Sequence, residues 1–164
     1  MARTMKKTIF TTLAIFAAFL LSGHISLAQE VPQTHLRRAT LSAGIHQMDV
    51  QLALTPQEQT IGLMQRAEMP VNEGMLFVFE DVSQRCFWMK NTLLPLTAAF
   101  VADDGRIVNL EDMQPQTLDS HCSRKPVRFV LEMHQGWFAK KGIKAGAKLS
   151  GPMFGASAPG TGKK

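Results

Sequence analysis

Four polar residues in this sequence could together bind a small anionic or polar group. Lys90 and Asn91 follow Trp88 closely and stand between two apolar runs. Arg66 lies at the end of a predicted helix, and Glu132 lies in a predicted strand. A lysine near an arginine favours a carboxylate, sulfate or phosphate group, and an asparagine amide adds a donor and an acceptor. We therefore predict a pocket for a small polar ligand, for an acidic peptide end, or for a sugar whose face stacks on Trp88.

Two other interpretations explain the same residues. In the first, Arg66 and Glu132 form a structural ion pair, while Asn91 and Thr92 fix a turn through side-chain hydrogen bonds. In the second, the domain is an enzyme acting on envelope carbohydrate or peptide, with Glu132 or Glu73 as acid or base. No nucleophile and base can be paired by spacing, so we assign no catalytic residue and leave the enzyme question open.

Other side chains with ligand chemistry do not form a recognisable metal or cofactor motif. The segment Asp119-Ser120-His121-Cys122 and the more distant His134 offer metal-binding atoms, but none of the usual short ligand spacings occurs. Thioether sulfurs suit Cu(I) in an exported protein. Most of the candidate methionines, however, occupy apolar positions of predicted elements, where methionine fills a core. They are Met48, Met64, Met69, Met75, Met89, Met113 and Met133. We predict no metal and no cofactor.

The first 28 residues are typical of a secretion signal. Lys6 and Lys7 form a positive start, thirteen mostly apolar residues follow at 9–21, and small residues precede the expected cleavage point after Ala28. An uncleaved anchor is the alternative, but thirteen helical residues are too short for a hydrocarbon core of roughly 30 Å. The sequence has no cysteine near Ala28, and a lipid anchor is therefore not expected. We expect a periplasmic or secreted protein with no stable membrane anchor after cleavage.

The charge balance argues against nucleic acid as a partner. Without the signal, 15 of the 18 Lys and Arg residues remain against 13 Asp and Glu residues, which is a formal charge of +2. The chain has neither a long basic run nor an aromatic-basic stripe. The 136 residues that follow the signal suffice for one domain with a real core. We expect a monomer that binds a small polar ligand or a component of the envelope.

Cys86 and Cys122 are the only cysteines of the chain. In an oxidising compartment a disulfide between them would stabilise the fold by about 4 kcal/mol in the chain-entropy model. The alternative is two buried, unpaired thiols, because the sequence does not show whether the two Cα atoms approach closely enough for a bridge. Their spacing is far from C-x-x-C and gives no support to a thioredoxin-like redox role.

Alternating apolar residues predict a domain made mainly of β-strands. Residues 29–42 are polar and aperiodic, so we predict a flexible lead-in there. Period-two patterns and apolar runs then predict seven strands. These are residues 46–54, 75–79, 86–89, 93–101, 106–110, 127–133 and 148–153. Phe87 and Trp88, taken alone, are more typical of a core than of a ligand platform.

Turn and capping signals define the remaining elements. Thr55, Pro56 and Glu58 predict a helix start with a capping box, and a second short helix is predicted at 136–141. Asp104-Gly105 between two apolar runs predicts a type I′ hairpin. Short strands with few helices favour a single compact β-sandwich or open barrel over residues 43–153, with one or two short helices. The Gly- and Ser-containing segment 154–164 is predicted to be a flexible tail.

A series of spaced motifs resembles the family known as domain of unknown function 192. The matching segments are Gly62-Leu63-Met64 with Arg66, Glu73-Gly74-Met75-Leu76-Phe77, Phe87-Trp88-Met89-Lys90-Asn91-Thr92, Pro95-Leu96, Gly105-Arg106-Ile107-Val108, Pro126-Val127-Arg128 and Leu131-Glu132. The resemblance implies a compact, mostly β domain, often exported from bacteria, with no agreed activity. Two positions depart from the family pattern, since Thr97 and Ala147 stand where the family usually has aspartate. If the first aspartate carried chemistry, this chain would lack it.

Overall fold

The structure is a computed structural model that describes residues 31–155. The predicted secretion signal and residues 156–164 of the predicted tail lie outside this range. Within it the chain forms nine strands and two short helices. In chain order they are β1 (Arg38–Ala43), β2 (His46–Ala53), α1 (Pro56–Ile61), β3 (Glu73–Ser83), β4 (Cys86–Phe87), β5 (Leu96–Val101), β6 (Ile107–Met113), β7 (His121–Cys122), β8 (Val127–His134), α2 (Trp137–Lys140) and β9 (Leu149–Ser150).

Seven of these strands form one curled sheet in the order β6-β5-β8-β3-β2-β1-β9. All neighbours are antiparallel except β2 and β3, which run parallel and are joined through α1. The two edges of the sheet meet at one point, where Arg106 and Lys148 form an isolated antiparallel bridge. β4 and β7 form a separate two-stranded sheet. The predicted mainly β class is therefore confirmed, as a half-barrel with two short helices.

The curled sheet buries side chains on both of its faces. One face carries Met75, Phe77 and Val130 and is covered by the segment from α1 to Met69 and by the loop 88–95. We call this side the cleft face. The opposite side, here the α2 face, carries the second core cluster, in which Leu76 and Leu131 belong with the α2 residues Trp137 and Phe138.

The capping signals of α1 are confirmed. The Thr55 hydroxyl accepts a hydrogen bond from the Glu58 N–H, and the Glu58 carboxylate accepts one from the Thr55 N–H, so a complete capping box starts the helix. The predicted hairpin also forms, since β5 and β6 pair across Asp104-Gly105. Its turn is not type I′, however, because Gly105 has a positive φ and Asp104 does not.

Several predicted boundaries shift in the structure. Residues 38–42 of the predicted lead-in belong to β1, which pairs along its whole length with β2. Phe154, placed in the predicted tail, stacks edge to face on Phe129 at 5.1 Å. β4 ends at Phe87, two residues before its predicted end, so Trp88 and the residues after it form a loop that folds over the cleft face.

Candidate functional site

Glu132 lies in the interior of β8 on the cleft face. Its neighbours in register are Met75 on β3 and Ala98 on β5, both fully buried and apolar. The side chain is 4% exposed, and within residues 31–155 no hydrogen bond or ion pair reaches its carboxyl group. Burial without a compensating partner disfavours the charged form and raises the pKa of Glu132 to about 8. Glu132 is therefore mostly a neutral carboxylic acid at pH 7.

Glu132 opens onto a cleft of about 510 Å³ between the α1 segment and the strands β3 and β4. This volume lies within the range typical of small-molecule sites. Apolar and aromatic side chains form most of its wall, and polar groups converge from α1 and from the loop after β4. The lining residues are Pro56, Gln59, Thr60, Ile61, Gly62, Leu63, Met64, Phe77, Phe79, Cys86, Phe87, Trp88, Lys90, Asn91, Thr92 and Glu132.

The loop after β4 brings three of the predicted site residues to this cleft. Trp88 is 52% exposed, and the Lys90 ammonium nitrogen lies 5.7 Å from the centre of its ring. Asn91 adopts a positive φ of 55°, a conformation that asparagine tolerates better than most residues. Its carbonyl accepts a hydrogen bond of 2.8 Å from Gln65 N–H, which ties the loop to the α1 segment. Asn91 therefore shapes a turn through its backbone and also lines the cleft, while its role in ligand binding stays a prediction.

Arg66 does not join this cleft. It is 6% exposed, and its Nη2 donates hydrogen bonds to the Gln33 carbonyl and to the Gln51 side chain on β2. Burial lowers the pKa of Arg66, and the nearby Glu73 carboxylate partly opposes that effect. Both predictions for Arg66 need correction, because the described residues show neither convergence with Lys90 on one rim nor an ion pair with Glu132. The chain turns at Gln65, whose φ is 60°, immediately before Arg66.

Glu73, the other predicted acid or base, also lies away from the cleft. Its carboxylate forms an ion pair of 2.7 Å with Arg38, which bridges to Asp49 at 2.8 Å. Arg38 and Glu73 are the first residues of β1 and β3, and Asp49 lies within β2. Glu132 is thus the one carboxyl group among the cleft-lining residues of the described chain.

A disulfide joins Cys86 and Cys122, one of the two alternatives for these cysteines. The two residues are direct partners of β4 and β7, with Cα atoms 4.0 Å apart. Cys86 lines the cleft, and the next residue, Phe87, packs edge to face on Phe77 at 4.8 Å. The bridge therefore fixes one wall of the cleft.

Two of the residues considered for metal binding, His134 and Cys122, have other partners in the fold. The His134 Nε2 lies 2.6 Å from the Met69 carbonyl oxygen, and the Cys122 sulfur is bonded to Cys86 in the disulfide. Across residues 31–155 no group of three or more His, Cys, Asp or Glu side chains is arranged to hold a metal ion. Six of the seven candidate methionines are core residues, namely Met48, Met69, Met75, Met89, Met113 and Met133. In the same part of the chain no helix is long and apolar enough to cross a membrane.

The first position that departs from the family pattern lies on the α2 face. The buried Thr97 hydroxyl donates a hydrogen bond of 2.5 Å to Asp112, its direct partner on β6, and accepts one of 3.3 Å from Gly136 N–H. A second cleft of about 420 Å³ lies here, beside α2. The second position, Ala147, uses its backbone to hold β6, because its carbonyl accepts from Ile107 N–H at 2.9 Å.

The sequence interpretation missed the wall residues Gln59, Phe77 and Phe79. Phe77 and Phe79 are two positions apart, so they share one face of β3, and this period could have indicated an aromatic wall. Gln59 gave no such signal. It is held in place because its amide donates to the Val78 carbonyl at 2.8 Å, a contact between segments that are distant in sequence.

Comparison with known proteins gives a family and a fold but no activity. The family DUF192, described as "Uncharacterized ACR, COG1430", matches residues 38–151. A crystal structure of a "putative transcription regulator" from Sinorhizobium meliloti 1021 is 34% identical, has a TM-score of 0.69, and aligns over 73% of this chain and 97% of that chain. A protein of unknown function from Novosphingobium aromaticivorans DSM 12444 is 31% identical, with a TM-score of 0.65 over 74% of this chain and 94% of that one. No curated protein matches the chain.

Proposed function

The chain belongs to the DUF192 family, and from this premise we propose that it is an exported binding domain whose cleft holds a small polar ligand. A shared fold does not determine a function, so the proposal depends on the chemistry of the cleft. Its ligand carries a hydroxyl or amide group that meets Glu132, and an apolar face that meets the aromatic wall.

The carboxyl group of Glu132, which has no hydrogen-bond partner among residues 31–155, is the observation that carries the proposal. Burying a polar group without a hydrogen bond costs on the order of 1–3 kcal/mol. A protonated carboxyl offers one donor and spare acceptor capacity. A ligand hydroxyl or amide in the cleft would meet both, and such hydrogen bonds contribute to the binding free energy. Glu132 is 4% exposed and lines the cleft, so such a ligand group would meet it at a largely buried position.

The rest of the cleft supports an amphipathic ligand of modest charge. Phe79, Phe87 and Trp88 give an apolar surface, and Lys90 gives one positive charge at the rim. Arg66 does not line the cleft, so within the described part of the chain Lys90 has no second cation beside it of the kind that a multiply charged anion would need. A ligand with one negative group, or with none, suits this arrangement better.

Export is proposed from the signal-like residues 1–28. The disulfide between Cys86 and Cys122 is consistent with this, because such bonds persist in oxidising compartments.

A thermal-shift screen with matched variants tests the binding proposal. The purified chain is screened against sugars, short peptides and small anions, and hits are repeated with Glu132→Leu, Glu132→Gln and the exposed control Glu68→Gln. We expect Glu132→Leu to abolish the ligand-induced rise in Tm, Glu132→Gln to retain part of it, and the control to retain all of it. Hits that raise the Tm of all three variants equally would refute a site at Glu132.

An enzyme is the second candidate function, favoured by one observation. A carboxyl group with a pKa near 8 is protonated at neutral pH and could act as a general acid. Against it, Glu73 is paired with Arg38 outside the cleft and cannot act as the second carboxylate. Incubation of any bound glycan or peptide with the wild type and with Glu132→Gln distinguishes the two functions. Cleavage that depends on Glu132 would replace the binding proposal with a catalytic one.

A further inference from the structure

The cleft continues from a buried floor to a half-exposed aromatic ring at its mouth. Glu132 is 4% exposed and Trp88 is 52% exposed, yet both line the same cleft. Resting on the proposed function, we propose that the ligand class is an acidic oligosaccharide, with one ring inside the cleft above Glu132 and the next ring stacked on Trp88.

The floor and wall suit a sugar ring better than an acyl chain or a free anion. A pyranose has C–H groups that pack on aromatic surfaces and hydroxyl groups that exchange hydrogen bonds with a neutral acid. Phe79 and Phe87 supply the surface, and Glu132 supplies the hydrogen-bonding group. An acyl chain would leave Glu132 unsatisfied, and a free carboxylate or phosphate would leave the aromatic wall unused.

The rim explains the acidic character of the proposed sugar. The Lys90 ammonium lies 5.7 Å from the centre of the Trp88 ring, so a ring stacked on Trp88 would place its substituents within reach of a positive charge. A ring carboxylate there would form a charge-assisted pair. Lys90 is the one basic side chain among the cleft-lining residues of the described chain.

The surface beyond the cleft favours more than one ring. Loop 88–95 contacts the segment before β7. The Met89 N–H donates a hydrogen bond of 3.0 Å to the Thr117 carbonyl. Leu118, the next residue, is 67% exposed. Trp88 and Leu118 thus present apolar area to solvent on adjacent segments, along which we expect a longer chain to extend.

Tryptophan fluorescence can measure this binding, because the chain has only two tryptophans. Trp88 is at the cleft mouth, while Trp137 is 3% exposed on the α2 face and serves as an internal reference. The probes are galacturonic acid, its linear trimer, and the neutral trimer of N-acetylglucosamine. We expect the acidic trimer to bind about tenfold more tightly than the monomer, the factor that one good aromatic contact supplies.

Variants separate the parts of the inference. Trp88→Phe should abolish the fluorescence response, and Trp137→Phe should preserve it. Lys90→Ala should weaken binding of the acidic trimer by at least about fivefold, without a matching effect on the neutral one. Equal affinity for monomer and trimer would contradict the proposed stacking of a second sugar ring on Trp88. If no saccharide binds while another small polar compound gives a Glu132-dependent thermal shift, the saccharide class fails and the proposed function stands. If no compound gives a Glu132-dependent shift, both fail.

Discussion

Cys86 and Cys122 face each other across β4 and β7, and their disulfide stands at the wall of the cleft that Glu132 occupies. Each of these strands is only two residues long. Such a short pair of strands is marginal by itself, so the covalent bond has to hold Phe87 against the core and Trp88 at the mouth. We therefore expect the geometry of the cleft to depend on a bond that a reducing compartment would not maintain.

Removal of this disulfide should lower both stability and order at the cleft. With a sequence separation of 36 between the cysteines, the double change Cys86→Ala and Cys122→Ala is expected to reduce the free energy of unfolding by about 2–4 kcal/mol in urea. Acrylamide quenching of Trp88 fluorescence, measured in a Trp137→Phe background, should increase. A loss below about 1 kcal/mol with unchanged quenching would show that packing alone positions the wall.

Glu132 should make the stability depend on pH in a direction opposite to that of a salt-bridged acid. Its pKa is about 8 in the folded chain against 4.5 for an ordinary glutamate. Below pH 4.5 both states hold the proton, so the contribution of Glu132 is complete there. Between these two pKa values only the folded state holds the proton, and stability falls by about 1.4 kcal/mol per pH unit as the pH rises. Above pH 8 the contribution is lost.

Urea unfolding of the wild type and of Glu132→Gln at several pH values checks this expectation. The difference between the two proteins cancels the other titrating groups, because the amide introduced by Glu132→Gln cannot ionise. We expect the wild type to lose stability relative to the variant steadily from about pH 5 to pH 8. Parallel curves would mean that the pKa of Glu132 is the same in the folded and the unfolded chain, which contradicts the expectation.

The sequence predicted the strands with a strong alternating pattern and missed those without one. β2 and β8 carry large apolar residues at every second position, so their period indicated a half-buried strand. β1 has one large apolar side chain, Leu41, and is a strand because β2 supplies its hydrogen-bond partners. Such pairing is a property of the neighbour and leaves little trace in the local sequence.

The sequence likewise predicted only part of the candidate site, because local patterns position some of its residues and not others. Trp88, Lys90 and Asn91 are consecutive or nearly so, and a single loop brings them to the cleft. Glu132 joins them because its strand alternates, which fixes the face on which its side chain lies. The direction of Arg66 depends on a turn at Gln65 with a positive φ, a conformation that glutamine rarely adopts and that its residue type does not predict.

Lys90→Ala should affect ligand binding far more than stability. The Lys90 side chain is exposed at the rim, and the contact found for it within residues 31–155 is with the Trp88 ring. Loss of that contact should change the free energy of unfolding by less than about 1 kcal/mol. The ligand-induced rise in Tm should shrink, and the exposed control Lys125→Ala should leave it unchanged. A stability loss of several kcal/mol would instead assign Lys90 a structural role.

Arg66→Ala should lower stability and leave ligand binding nearly unchanged. Arg66 is buried and donates to Gln51, which is itself 3% exposed, so the change leaves the Gln51 amide oxygen without its donor. It also removes the donor to the Gln33 carbonyl and with it one tie to the segment before β1. Leaving buried polar groups unpaired should lower the free energy of unfolding by about 2–4 kcal/mol in urea. Ligand affinity, measured well below the Tm of the variant, should stay within about threefold because Arg66 does not line the cleft. A stable variant that has lost its binding would place Arg66 at the site after all.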